Sequence, residues 1–269
     1  MRFYDAHNHL QDERLSNAND LMAACRAEGV ARMVVNGACE ADWPAVAALA
    51  REFPEVLPSF GYHPWYLHER TPEWIAELNK ALDTLPGAVG EIGLDRWKTG
   101  LDYAGQEEAF TAQLKIAAER NIAVSIHCLQ AWGRLFELLR EGPRPACGFL
   151  LHSYGGSQEM IQPLAKLGAY FSFPGYYAHE RKKKQRETFK HVPLHRLLIE
   201  TDAPDQHLPD ELNRHPLTGT GGKPLNHPAN LRAVYEVVAQ LRAMPVEELA
   251  AQVEENFFRL FGAAAGNSK

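Results

Sequence analysis

Short apolar segments rich in β-forming residues alternate along the chain with longer segments of helical periodicity. We predict eight strands, at residues 3–7, 32–36, 56–62, 88–93, 123–127, 148–152, 169–173 and 197–201. The periodicity predicts helices at residues 20–28, 106–120, 132–140 and 229–241, and a last helix with Pro245 at its first position. An irregular stretch, 202–227, separates the last strand from the last two helices.

Eight strands that are each followed by a crossover segment predict an α/β fold, a single (β/α)8 TIM barrel with an extra C-terminal helix. An open doubly wound sheet is the alternative, but the chain has too many equivalent units and no Gly-rich dinucleotide-binding motif. The sequence contains no linker, low-complexity tract or internal repeat. We therefore expect one domain, residues 1–265.

Composition narrows the classes of function. The 269-residue chain is 45% hydrophobic and has a net charge of -6, so a nucleic-acid substrate would require metal ions or a local basic patch. Its four cysteines form no C-x-x-C pair, which favours free thiols in a reducing compartment. No apolar run approaches the roughly 18 residues of a membrane span. We expect a cytoplasmic protein that does not bind membranes.

The first predicted strand carries a possible metal-binding pattern. Asp5, His7 and His9 alternate, so all three project from one face of the strand. Two imidazoles on one face can bind the same ion, and an acidic neighbour is well placed to orient them. An exposed strand that merely contains histidines explains this segment alone equally well. The other strand ends decide between the two interpretations.

Polar residues recur where the predicted strands end, which in a barrel is the mouth that holds the active site. Each residue alone has an ordinary structural explanation, such as a hydrogen-bonded histidine or a helix N-cap. Independent structural roles do not explain so many at one rim. The candidates are His7, His9, His63, Glu91, His127, His152 and Asp202.

Six of these candidates exceed the three or four protein ligands of a mononuclear catalytic site. We expect two divalent ions that share one carboxylate and a bridging hydroxide, an arrangement suited to phosphodiester hydrolysis. Mixed imidazole and carboxylate ligands are compatible with Mg, Mn, Zn or Co.

The same residues belong to a longer series of motifs. Taken in order from residue 5 to about 262, the series resembles the TatD family of metal-dependent deoxyribonucleases, within the amidohydrolase superfamily. The motifs are Asp5-x-His7-x-His9, Gly61-x-His63-Pro64, Gly90-Glu91-Ile92-Gly93-Leu94-Asp95, Ile126-His127, His152, Glu200-Thr201-Asp202-x-Pro204, Asn226-His227-Pro228 and Glu255-Asn256-Phe257.

The resemblance implies one ion on His7, His9, Glu91 and Asp202, and a second ion on Glu91, His127 and His152. It implies that Asp202 takes a proton from the nucleophilic water, that Glu91 bridges the ions, and that His63 lies near the substrate phosphate. We expect a monomeric hydrolase that cleaves phosphodiester bonds at DNA ends or in oligonucleotides with a metal-bound hydroxide.

The chain departs from the family pattern in its substrate-facing loops. The departures are Trp65 after His63-Pro64, Arg96 before Trp97, Cys128-Leu129-Gln130 after His127, and Ser153-Tyr154 after His152. The substrate is therefore less firmly indicated than the metal centre. Two alternatives remain: an amidohydrolase-type enzyme for small amides, lactones or phosphoesters, and a non-catalytic scaffold that metals stabilise.

Three further features have both a functional and an ordinary interpretation. Tyr62, Trp65, Tyr66 and Trp97 form either a stacking wall for a base or simple packing. The basic run 181–186 either binds phosphate or is a solvated helix face. The Gly-rich segment 218–223 lacks Walker spacing, and we interpret it as a rim loop.

Overall fold

The computed structural model describes residues 1–262, in which eight parallel strands form one nearly closed barrel. Each strand pairs with its neighbours in sequence order. The strands are β1 Phe3–Asn8, β2 Val30–Asn36, β3 Val56–Phe60, β4 Ala88–Asp95, β5 Val124–Leu129, β6 Phe149–Leu151, β7 Ala169–Pro174 and β8 Leu197–Glu200. The predicted barrel is confirmed. Residues 263–265 of the predicted domain lie outside the described residues.

Helices follow the strands and cover the outside of the barrel. They are α1 Ala18–Ala27, α2 Trp43–Glu52, α3 Trp74–Thr84, α4 Tyr103–Arg120, α5 Trp132–Glu141, α6 Gln158–Lys166, α7 Lys183–Phe189, α8 Leu231–Leu241 and α9 Val246–Phe261. Within residues 1–262, no helix is both long and apolar enough to cross a membrane.

The segment predicted to be irregular contains local structure. Strands β9 Leu217–Thr218 and β10 Pro224–Leu225 form a small antiparallel pair there. Helix α9 begins at Val246, one residue later than predicted. Pro245, which was predicted to be its first residue, has an extended backbone and is the N-cap. The strand predicted at 56–62 ends at Phe60, so Tyr62 lies in the following loop.

Hydrogen bonds at the mouth connect the first and last strands. The Asp202 N–H donates to the His7 carbonyl at 3.0 Å, and the His9 N–H donates to the Ala203 carbonyl at 2.7 Å. Asp5 reinforces this seam, because its carboxylate accepts the Thr201 N–H at 3.0 Å and is fully buried. The seam fixes the ends of β1 and β8 beside one another.

The C-terminal helices anchor the other end of the seam. The Tyr235 hydroxyl of α8 bonds both the N–H and the carbonyl of Tyr4, each at 3.0 Å. In α9, the Asn256 side chain donates to the carbonyls of Leu194 and Leu197 at 2.8 Å. The extra C-terminal helix is therefore an integral part of the barrel wall.

Candidate metal centre

Six predicted ligand side chains lie together at the carboxyl ends of the strands. Three come from β1, β4 and β5, and three from the first or second residue after β1, β6 and β8: His7, Glu91, His127, His9, His152 and Asp202. Since the ends of parallel strands meet at one rim, the barrel brings together residues that are far apart in sequence.

Glu91 lies in the middle of the cluster, and its two oxygens face different neighbours. Oε2 lies 3.3 Å from His7 Nε2 and 3.2 Å from His9 Nε2. Oε1 lies 3.1 Å from His127 Nδ1 and 2.8 Å from His152 Nε2. We call these groups the Oε2 side and the Oε1 side; Asp202 belongs to the Oε2 side.

The atoms of the Oε2 side have the spacing of ligands around one ion. Asp202 Oδ1 lies 3.6 Å from Nε2 of both His7 and His9, and these two nitrogens are 3.2 Å apart. Metal bonds of about 2.1 Å in a tetrahedral site place neighbouring ligand atoms about 3.4 Å apart. Two imidazole nitrogens and two carboxylate oxygens therefore fit a divalent transition-metal ion.

The Oε1 side contains close contacts that are not hydrogen bonds. Glu91 Oε1 is buried and has no hydrogen-bond partner within residues 1–262, although His152 Nε2 approaches it to 2.8 Å. A buried carboxylate oxygen without a donor is costly, whereas lone pairs that converge on one point are typical of a metal site. This side also fits an ion.

Three of the histidines are held through the ring nitrogen that faces away from Glu91. His7 Nδ1 lies 2.7 Å from Ser125 Oγ, and His9 Nδ1 lies 2.8 Å from the Asn36 carbonyl. In His127 the nitrogen that faces away is Nε2, which lies 3.0 Å from Asp95 Oδ2. A carbonyl or carboxylate partner requires an N–H, so His9 and His127 direct lone pairs into the cluster.

His63 lies beside the Oε1 side but turns its protonated ring nitrogen toward Glu91. The Trp65 backbone N–H, which can only donate, lies 3.1 Å from His63 Nδ1, so this nitrogen accepts. In the neutral ring, His63 Nε2 then carries the proton, and it lies 3.5 Å from Glu91 Oε1. His63 thus offers a hydrogen-bond donor where the other histidines offer a lone pair.

Burial and the close packing of charges shift the pKa values in the cluster. Burial alone would raise the pKa of Glu91, but the imidazoles of His152 and His63 hold it well below its ordinary value. Burial lowers the pKa of His7 to about 3, and the neighbouring His152 acts in the same direction. An ionised Glu91 and a neutral His7 are the forms that bind a metal.

Asp202 is the second carboxylate of the cluster. Burial raises its pKa to about 6, while His152 and His9 oppose that shift. Its backbone is left-handed, with φ of 53°, a conformation that aspartate tolerates better than most residues. Its Oδ2 accepts a hydrogen bond from Gln206 Nε2, which leaves Oδ1 directed at the histidines of the Oε2 side.

Asp95 and Glu200 have positioning roles that the sequence motifs did not reveal. Asp95 accepts hydrogen bonds from His127 Nε2 and, at 2.6 Å, from Trp65 Nε1. Glu200 accepts from the N–H and hydroxyl of Ser153 at 2.7 and 2.6 Å, and lies 3.7 Å from His152 Nδ1. Both are fully buried acids at the ends of apolar strands, which is the signal that could have identified them.

Asp5 has a different role from the one we inferred from its position. Its Oδ1 lies 3.2 Å from the His7 backbone N–H, whereas the His7 ring is held by Ser125. Asp5 therefore supports the backbone of the β1–β8 seam and does not orient the imidazoles directly.

The other sequence features for which we gave two interpretations do not supply ligands to the cluster. The Tyr62 ring packs between Trp43 and Trp74, and its hydroxyl donates to Glu40, so Tyr62 is a packing residue. In the basic run, Arg186 donates to the carbonyls of residues 177–179 and stabilises its own loop. The segment 218–223 includes the 3₁₀ turn Thr220–Gly222 between β9 and β10.

Comparisons with known proteins agree with the motif series. A relative from Bacillus subtilis, the uncharacterized metal-dependent hydrolase YabD, is 33% identical over 264 residues, or 96% of this chain and 98% of that protein. The 3'-5' ssDNA/RNA exonuclease TatD of Escherichia coli is 31% identical over 268 residues, covering 97% of this chain and 99% of the relative.

The fold gives the same result. The crystal structure of YjjV, a TatD homolog from Escherichia coli, matches with a TM-score of 0.86 at 27% identity, over 97% of this chain and 98% of that one. The sequence profile of the family described as TatD related DNase matches residues 4–262, almost the whole length of the chain. The chain therefore belongs to the TatD related DNase family.

Proposed function

We propose that this protein is a metal-dependent nuclease that hydrolyses phosphodiester bonds at the ends of DNA or in oligonucleotides. The observation that carries the proposal is the position of Glu91, whose two oxygens face two separate groups of ligand atoms. One carboxylate between two ions is the arrangement used for in-line displacement at phosphorus. A relative named as an ssDNA/RNA exonuclease supports the choice of substrate.

In this proposal each ion has its own ligands. His7, His9 and Asp202 would hold one ion together with Glu91, and His127 and His152 would hold the other. Bound divalent ions lower the pKa of water and stabilise negative charge on phosphoryl oxygens. Mg, Mn, Zn and Co all remain candidates, because imidazole and carboxylate ligands suit each of them.

The side chains would supply proton transfer and orientation. Asp202 would accept the proton, because burial raises its pKa to about 6, close to the pH range in which a general base works best, and the Gln206 hydrogen bond fixes its orientation. His63 donates a hydrogen bond from Nε2 to a phosphoryl oxygen, since its Nδ1 is occupied by the Trp65 N–H. The imidazoles held by Asn36 and Asp95 stay fixed during the reaction.

We also propose that the chain functions as a single domain and as a monomer. Every candidate ligand comes from one barrel, and the family profile runs without interruption from residue 4 to residue 262. No second chain is needed to complete the ligand set.

Metal restoration tests the activity. The chelated protein should not cleave a single-stranded oligonucleotide, and addition of one of the four metals should restore cleavage. Asp202→Asn should lower kcat by about 10²- to 10⁴-fold, because it removes the proton acceptor. Steady turnover of a lactone or an amide, with no cleavage of DNA under any metal, would contradict the nuclease proposal and favour a small-molecule hydrolase.

A further inference from the structure

Exposed hydrophobic side chains are concentrated on one side of the barrel mouth. In the described part of the chain, six large hydrophobic side chains are exposed. Four of them lie where β3, β4 and β5 end: two on the loops after β3 and β4, one at the first residue of α4, and one at the last residue of β5. These four, which we call the aromatic rim, are Tyr66, Trp97, Tyr103 and Leu129. Exposed apolar side chains that are scattered singly need no explanation, but a group on three adjacent strands indicates binding.

Trp97 is the most exposed member, with 60% of its surface accessible, and its backbone is tied to the metal centre. Its N–H donates to Asp95 Oδ1 at 2.7 Å. The other oxygen of Asp95 bonds His127 Nε2 at 3.0 Å. The Asp95 carboxylate thus bonds both Trp97 and the candidate ligand His127. It fixes the backbone of Trp97 relative to the Oε1 side.

Tyr66 approaches the centre from the neighbouring loop. Its ring centroid lies 6.0 Å from that of His63, the residue that we assign to the substrate phosphate. A ligand held at His63 would therefore extend toward Tyr66. Tyr66 therefore borders the proposed reaction site.

Two cations lie over aromatic rings in this part of the mouth, one over Trp65, next to the rim residue Tyr66, and one over the rim residue Tyr103. The Lys98 ammonium lies 4.6 Å from the centroid of Trp65, and the Arg96 guanidinium lies 5.8 Å from that of Tyr103. The carboxylate nearest to Arg96, that of Glu107, lies 3.5 Å away and pairs more closely with Arg134, at 2.8 Å, so it does not hold Arg96 tightly. Aromatic faces with cations between them suit a strand that alternates flat bases and phosphates better than they suit a purely apolar partner.

A stacking platform also suits the negative charge of the whole protein. At a net charge of -6, the long-range field does not attract a polyanion. Stacking does not depend on that field and accepts any base, because every base has a π face. A stacking platform therefore provides affinity that the overall charge does not.

On the basis of the nuclease activity proposed above, we infer that the aromatic rim is a stacking site for unpaired nucleobases of the strand being cleaved. Trp97 and Tyr66 contact the bases, and Lys98 lies against the phosphates between them. This assigns single-stranded nucleic acid as the ligand of the rim, with no selectivity for base identity.

Paired binding measurements test this site. A phosphorothioate oligothymidylate and an abasic phosphorothioate strand of equal length carry the same charge, and both resist cleavage. The wild-type protein, loaded with the metal that supports activity, should bind the abasic strand about tenfold more weakly by fluorescence anisotropy. Trp97→Ala should weaken oligothymidylate binding about tenfold and leave the abasic strand unchanged.

Ile75→Ala is the matched control, because Ile75 is a 43% exposed hydrophobic residue on α3 that contributes nothing to the rim. It should change neither affinity. Equal affinities of the wild-type protein for the two strands, or a Trp97→Ala variant that weakens both strands alike, would overturn the inference. Discrimination between the strands without any cleavage of ordinary DNA would uphold the stacking site and contradict the nuclease proposal.

Discussion

The two sides of Glu91 differ in how their histidines are held. On the Oε2 side, the His9 ring is fixed by the backbone carbonyl of Asn36, a partner that no substitution removes. On the Oε1 side, the His127 ring is fixed by the Asp95 carboxylate. A carboxylate partner increases the basicity of an imidazole ligand more than a carbonyl does. The partner of His127 is thus an ionised side chain that mutation can neutralise, whereas His7 and His9 are held by neutral groups, Ser125 Oγ and the Asn36 carbonyl.

The strands that supply the two sides also differ. The Oε2 side is built from β1 and the residues after β8, which the seam hydrogen bonds place next to each other. The Oε1 side draws on β5 and on the loop after β6, with Glu91 of β4 as the shared residue. His7 and His152 stack across the two sides, with ring centroids 4.0 Å apart. Removal of His9 or His127, which lie outside this contact, should therefore leave the geometry of the other side intact.

A large effect is expected when a single histidine is removed from either side. His9→Ala should lower the metal content to about one ion per chain, with the remaining ion on the Oε1 side. His127→Ala should also leave about one ion, on the Oε2 side. Each variant should lose most of its phosphodiesterase activity. Elemental analysis of the gel-filtered proteins measures the ion content.

Crystals of the two metal-loaded variants show which ion remains. We expect anomalous density beside His127 in one variant and beside His9 in the other. If both variants lose all metal, or if both retain the same ion, the two sides are not independent sites.

A smaller effect is expected from the residue that holds His127. Asp95→Asn removes the charge beside His127 Nε2 and allows an amide to face the ring, which favours the tautomer with a proton on Nδ1. We expect the affinity of one ion to fall about 10- to 100-fold while the other is unchanged. Metal titration by calorimetry measures both affinities.

Asp102→Asn provides the comparison for that variant. Asp102 lies at the end of the loop that follows Asp95 and caps α4, where its side chain accepts the Gly105 N–H at 3.0 Å. Asparagine caps helices as well as aspartate does, so neither metal affinity should change. An equal loss of affinity in the two variants would mean that loop charge in general, and not the contact with His127, stabilises the ion.

The sequence was sufficient to predict the fold and the location of the candidate site, because both follow from the repeated strand and crossover unit. Each predicted strand end falls at the same rim, so His7, Glu91 and His127 could be grouped without coordinates. The predicted strand boundaries shifted by a few residues, as for Tyr62, because burial continues into the loops.

The details of the site depend on contacts between distant segments. The tautomer of His63 is set by the backbone N–H of Trp65, and no side-chain pattern encodes it. The role of Asp95 follows from hydrogen bonds to Trp65 and His127, whose positions depend on the closed barrel. The direction of each Glu91 oxygen is likewise a property of the assembled rim.

The central claim is that Glu91 serves both sides of the centre. The most direct measurement is the metal content and activity of Glu91→Ala beside the wild-type protein, with circular dichroism to confirm that both are folded. We expect about two ions per chain in the wild-type protein, and neither bound metal nor activity in the variant. A folded Glu91→Ala protein that retains one ion and full activity would contradict the claim.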